Sequence, residues 1–261
     1  MSAPMPARVV PAASGARWLA EGWAIFRAAP FPWLALVFVY LFAMTLSWQV
    51  PYAGAAIAVL LTPAISVSFM AVARAAQRRA PVALELVAEG FRRDGLRAQL
   101  VLGAVYGLCV GAIYALANVL LGEAPAMEGS EAEGSLAGLA WLLVLYAPVM
   151  MMFWFAPVLA AWHGAPPAKA LFFSFAAFLI NWRAFATYGA ASAAAVLGLT
   201  AVAVFGARLV SPELAPATLA LPMFVAVFPT LCGSYYASYR DIFGYIAPSS
   251  EDQKREDEEA A

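Results

Sequence analysis

Charge is scarce in this chain. Asp, Glu, Lys and Arg together make up 12% of its 261 residues, where a soluble domain carries about a quarter. A water-facing globular surface cannot be built from so few. Histidine is scarcer still, with His163 alone in "AAWHGAP". One imidazole without neighbouring cysteine or carboxylate makes a poor metal site and reads first as an interfacial anchor. The two cysteines, Cys109 and Cys232, lie in separate apolar runs and form no CxxC. They read as small buried hydrophobes, and no disulfide is required. HExxH, GxSxG and GxxxxGK are all missing, which removes the commonest signatures of metalloproteases, serine hydrolases and nucleotide-binding loops. No apolar run carries an acidic pair able to relay protons, so ion-coupled transport has little support. The opening "MSAPMPARVVPAASGARWLAEGW" lacks the apolar core of a signal peptide before residue 31.

What the chain does have is hydrophobicity, at 64% of residues. Six apolar runs fall near 31–48, 52–75, 98–121, 136–161, 184–207 and 217–238. Each is close to the roughly 20 residues that span a bilayer as a helix. None shows the short alternating pattern of a membrane barrel. The expected fold is therefore all-α, a six-span helical membrane bundle. With six spans both termini share a side. That side holds every lysine and arginine except Arg208, while the segment "GEAPAMEGSEAEGS" on the other side is acidic. The positive-inside rule then places both termini in the cytoplasm.

Three segments between cytoplasmic span ends are richer than loops. Residues 14–29, 81–94 and 166–180 mix apolar residues at helical spacing with charges, and Pro81 and Pro166 suit first helical turns. Each reads as a short interfacial helix; the third also reads as a broken extension of a span. Overlaying "TPAISVSFMAVARAAQRRAP" on "APVMMMFWFAPVLAAWHGAP" without a gap matches Pro63 to Pro148, Phe69 to Trp154 and Ala80-Pro81 to Ala165-Pro166. Further on, Phe91-x-x-Asp94 matches Phe178-x-x-Asn181, and Pro229 takes the part of Pro63 in the last span. The unit inferred is an interfacial helix plus a two-span hairpin, used three times. The domain scheme is a flexible N-terminus over 1–13, one membrane domain over 14–245 and an acidic disordered tail over 246–261. The units within the domain are about 14–76, 80–163 and 165–240.

Candidate contact residues gather at the joints. Arg78, Arg79, Arg92, Arg93 and Arg97 form the densest basic group, suited to anionic lipid phosphate or simply to setting topology. Tyr236, Tyr239 and Arg240 in "SYYASYRDIFGY" read as a headgroup or partner contact, or as a last-turn anchor. Asn181, Trp182 and Arg183 mark a turn into the fifth span. There Asn181 can satisfy exposed backbone groups and Arg183 can snorkel to the interface. No catalytic, metal or cofactor residue is assigned, and nucleic acid is not expected as a partner.

The stretches "GARWLAEGWAIFRAAPFPW", "RRAPVALELVAEGFRRDG" and "WFAPVLAAWHGAPPAKALFFSFAAFLINWRAFATYG" together resemble a family of proteobacterial polytopic inner-membrane proteins to which no biochemical role is attached. The likeness rests on Gly22, Phe26, Pro30, Trp33, Phe91, Pro157, Ser174, Asn181, Trp182 and Tyr188. It is distantly similar to the membrane domain attached to some glycerophosphodiester phosphodiesterases. Their catalytic barrel and acidic metal motifs are missing from this chain, so the resemblance implies no such activity. The expectation is a non-enzymatic inner-membrane protein that organises or assists another envelope component, in contact with lipid and with a membrane-protein partner or a second copy. The alternative is a small-molecule transporter or lipid-handling protein.

Overall fold

The computed structural model describes residues 7–51, 53–82, 84–121, 136–210 and 220–244. The acidic segment at 122–134 and the tail at 246–261 lie outside them. All regular structure among the described residues is helical. Helix α1 spans Ser14–Ala28 and α2 spans Pro30–Trp48. Ala29 separates them at φ −148°, because the ring of Pro30 disfavours helical backbone in the residue before it. A tight turn leads to α3, Gly54–Gln77. A 3-10 helix follows at Leu84–Phe91, then α4 at Arg93–Leu121. The fourth apolar run is not one helix but two, α5 at Leu136–Phe153 and α6 at Ala156–His163. Pro157 has no N–H to give the carbonyl of Phe153, so the helix opens just ahead of it. Then come α7 at Pro167–Ile180, α8 at Trp182–Val210 and α9 at Ala220–Phe243.

Among the described residues, five segments are long and apolar enough to cross a membrane: Pro30–Trp48, Gly54–Gln77, Gly95–Ala117, Leu143–His163 and Trp182–Leu209. The last run expected from the sequence overlaps α9. Its C-terminal half, "SYYASYRDIF", is polar along the chain yet largely buried inside the protein.

Helix α3 is the hub. It touches α1, α2, α4, α6, α9 and the 3-10 helix, and its stretch Val67–Ala73 is buried throughout. Helix α1 packs on α9 and α8, the 3-10 helix on α3, and α7 on α5 and α6. Several of these contacts bring backbone onto backbone. A Cβ at Gly22 would lie 2.3 Å from the carbonyl oxygen of Thr230, and one at Gly15 would lie 2.1 Å from that of Ala184. A Cβ at Gly90 would lie 1.8 Å from the carbonyl oxygen of Ala64. Only glycine fits at these crossings.

Burial is uneven along the long helices. Tight packing gathers where the short elements sit. The far half of α8, from Gly189 to Leu209, has no buried residue, and α2 exposes Phe38, Phe42, Leu46 and Trp48. In lipid this is no defect, since acyl chains are as apolar as leucine and give helices no hydrophobic reason to associate.

The three described residues with positive φ each follow the end of a long or capping helix. They are Arg79 (53°) after α3, Gly164 (60°) after α6 and Gly244 (69°) after α9. At the first, the N–H of Arg79 donates to the Ala76 carbonyl at 3.1 Å and that of Ala80 to the Ala75 carbonyl at 3.0 Å. This is the Schellman pattern that glycine normally occupies.

Two outcomes follow for thermal unfolding in detergent. Gly22→Leu will drive α1 off α9 and lower the midpoint sharply, whereas Gly198→Leu, with open space around its backbone, will leave it unchanged. Arg79→Gly will raise stability by about 1 kcal/mol, the left-handed penalty of a side chain less glycine's greater unfolded-state freedom.

Candidate functional site

The polar side chains of the tightly packed end converge on three places. The first is the break between α5 and α6. The Ser174 hydroxyl, on the buried face of α7, accepts the N–H of Phe155 at 2.8 Å and donates to the carbonyl of Met151 at 2.8 Å. These two backbone groups would bond to each other in an unbroken helix, four residues apart. Ser174 inserts between them and satisfies both. From α4, the Gln99 side-chain amide donates to the carbonyl of Pro157 at 2.9 Å, tying a further helix to the same break.

The second is the joint between α7 and α8. Asn181 is buried, at 2% exposure. Its backbone carbonyl accepts from Ala184 and Phe185 and so starts α8. Its side-chain amide donates to the carbonyl of Ala177 in α7 and to that of Arg8, each at 3.0 Å. Its side-chain oxygen accepts the N–H of Val10 at 2.8 Å. Meanwhile the Arg8 N–H donates to the carbonyl of Ile242 at 2.7 Å. Residues 7–13, expected from the sequence to belong to a flexible terminus, are instead a strap held by Asn181 on one side and α9 on the other. Phe178 and Phe185 stack across the joint at 3.9 Å, and Trp154 packs edge-on against both.

The third is a pair of ionic clusters. Arg17 bonds Asp241 at 2.6 Å, Glu21 lies 3.6 Å from Arg17, and Arg240 bonds Glu21 at 2.5 Å, so α1 and α9 are laced by alternating charges. The Trp18 indole N–H donates to the same Asp241 oxygen at 2.8 Å. The bond from Asp241, followed by its charge, holds the Arg17 guanidinium above its ordinary range. Arg17 is largely exposed, so each pair there contributes about 0–1 kcal/mol and mainly sets register. Beside this, Arg74 and Arg92 bracket Glu89 at 3.7 and 3.4 Å, and Arg74 lies 4.3 Å above the ring of Trp162.

The residues expected to act together are distributed. Arg78 and Arg79 are exposed at the end of α3, Arg92 is held by Glu89, and Arg93 and Arg97 share one exposed face of α4. Trp182 and Arg183 are exposed, with the guanidinium 5.5 Å from the ring centre, while Asn181 is turned inward. Tyr236 and Tyr239 are buried at 2% and 7%, packed among protein side chains. Tyr239 hydrogen-bonds Nε2 of His163 at 2.5 Å and packs on Trp162, Phe155 and Phe243. The polar tyrosines face protein because α1 and α6 flank α9 there, which no local pattern reveals. Ser174, Arg8 and Glu21 were not singled out as contact residues from the sequence. The signals for Ser174 were its place in the family resemblance and a lone hydroxyl in a helix whose other polar residue is Lys169. Among the described residues no group of three His, Cys, Asp or Glu side chains is placed to hold a metal ion.

Ser174→Ala will strand the Phe155 N–H and the Met151 carbonyl and cost about 1–3 kcal/mol. Asn181→Leu will release the strap and cost about 2–4 kcal/mol, with a fall in membrane yield. Trp182→Ala, on the exposed side of the same joint, will stay within about 0.5 kcal/mol of wild type. Thermal unfolding of the purified variants reads all three.

No protein-family model matches the chain, and no solved structure matches it. A curated protein of the proteobacterium Burkholderia thailandensis, named "Probable inner membrane protein", is 36% identical over 260 residues, covering 92% of this chain and 95% of that protein. That likeness runs through the joint helices and the long apolar helices alike, and the chain belongs to the family of bacterial multi-pass inner-membrane proteins that includes this relative.

Proposed function

We propose that the chain is a non-enzymatic inner-membrane protein that organises or assists another envelope component. One observation carries this reading. The buried polar side chains Ser14, Ser68, Gln99, Ser174, Asn181, Ser234 and Ser238 all hydrogen-bond within the fold. Of these, Gln99, Ser174, Asn181 and Ser234 bond from one element to another, and among the described residues the buried polar side chains are serine, glutamine and asparagine rather than a gathered acid, base and nucleophile. The relative's name speaks of a membrane protein and of no reaction.

The finer architecture is part of the proposal. Helix α9 is taken as the sixth span, with both termini cytoplasmic as the charge distribution requires. Three units of short helix plus hairpin are taken as the building plan. Two features support that plan. Each short element docks on the second long helix of the unit before it in cyclic order: α1 on α9, the 3-10 helix on α3, α7 on α5 and α6. Arg79, Gly164 and Gly244, the left-handed residues, then fall at the three equivalent unit ends.

Reporter fusions test the topology. Alkaline phosphatase inserted after Glu128 will be active, and the same enzyme fused after Ala261 will be silent. Activity at the C-terminus would remove the sixth span. Purification in lipid nanodiscs with mass spectrometry of retained proteins tests the role. One stoichiometric envelope protein is the expected result, and recovery of the chain with lipid alone would overturn the organising reading.

A further inference from the structure

An open groove of about 520 Å³ lies where the C-terminal ends of α1 and α3 come together. Ala24 and Ala28 of α1 line one side, and Ala76 and Ala80 the other. Two arginines reach it, Arg27 from the last turn of α1 and Arg79 from the turn after α3. We propose that this groove binds the phosphate of an anionic phospholipid headgroup. The proposal requires that α2 and α3 cross the membrane. It does not depend on the organising role, and its test is separate.

Among the described residues this charge has no ion-pair partner. The ion pairs among the described residues engage Arg17, Arg74, Arg92 and Arg240, and neither Arg27 nor Arg79 is in one. The nearest carboxylate on α1, Glu21, is already shared by Arg17 and Arg240. Arg27 lies against the exposed ring of Trp23, 5.5 Å from its centre. Arg79 sits in left-handed backbone where the ends of α6 and α9 use glycine, so the chain keeps a guanidinium at a conformational cost that glycine would avoid. Two helix C-termini also face the groove, and their carbonyl ends disfavour an anion. A bound phosphate therefore needs both guanidinium groups, whose planar forks match its oxygens.

The depth is right for a headgroup. Arg27 comes just before Pro30, the start of one crossing helix, and Arg79 just after Gln77, the end of the next. The short turn joining α2 and α3 at their other ends puts these two positions on one membrane surface. Alanine walls leave the groove unfilled and offer methyl groups to the glycerol. Trp23 and Phe31, both exposed nearby in sequence, suit the boundary of headgroup and acyl chain.

The test uses the full chain purified in zwitterionic lipid and supplied with phosphatidylglycerol, read by native mass spectrometry and by the shift in thermal midpoint. Wild type will retain phosphatidylglycerol and gain stability from it. Arg27→Gln with Arg79→Gln will bind it roughly thirty-fold more weakly, as two interfacial arginines imply. Arg93→Gln with Arg97→Gln makes the same change of charge on α4 and will bind as wild type does. Arg79→Gly separates folding from binding: it will be more stable without lipid and gain less from its addition. Equal binding by wild type and the Arg27/Arg79 variant would overturn the proposal. Equal loss in the two double variants would do so too, by reducing the effect to general charge attraction. Full stabilisation by glycerol 3-phosphate alone would assign the groove to a soluble phosphate ester and overturn the lipid assignment.

Discussion

The Ser174 hydroxyl, standing between the Phe155 N–H and the Met151 carbonyl, is the contact on which the arrangement of this end depends. A bilayer offers no water to an opened helix, and each unsatisfied backbone group there costs several kcal/mol. The break ahead of Pro157 is tolerable only while another element supplies a donor and an acceptor. That requirement docks α7 on α5 and α6. Once α7 is docked, its C-terminus carries Asn181 to the place where the strap and the start of α8 meet, and the strap in turn holds the end of α9.

Packing effort is concentrated accordingly. Around the joints, Trp18, Trp33 and Phe155 are wholly buried; Trp18 meets Phe185 at a tilt, and Trp154 and Phe155 meet Tyr235 and Phe243 of α9, respectively, edge to face. Away from them α3 and α4 stay in backbone contact at Gly103 and Leu60, while α2 and α8 present Leu, Val and Phe outward. Helices in lipid associate through close backbone approach and polar contacts, because hydrophobic burial gives them no preference for one another. Gly15 and Gly22 supply the first kind of contact and Ser174 and Asn181 the second. Gly22, Trp33, Ser174, Asn181 and Tyr188, among the residues that carry the family resemblance, all fall in this packed end. They mark a way of joining helices.

Much of this was readable in advance. The apolar runs located the long helices, and the prolines at 30, 157 and 166 each lie near a boundary between helical elements. Asn181 was legible because a short polar amide in so apolar a stretch has few uses besides capping. Tyr236 and Tyr239 stayed open between headgroup, partner and anchor because tyrosine near a span end has the same local signature whether it meets a headgroup or another helix. Arg27 was passed over in favour of the denser Arg78–Arg97 group. Its significance depends on Arg79, a residue far from it in the chain and brought beside it by the α2–α3 hairpin.

The sequence by itself determined that this chain is a membrane protein, that it is helical, roughly where its long apolar helices run, and how its charges are sorted. Those are properties of contiguous residues, set by hydropathy, backbone stereochemistry and the cost of charge in lipid. Only the tertiary structure decided which face of each helix is buried, which carbonyls Asn181 and Ser174 satisfy, and which arginines are left unpaired at a groove. Val10 reaches Asn181 across most of the chain. A hydrogen bond depends on distance in space, and spacing along the sequence does not encode that for segments so far apart.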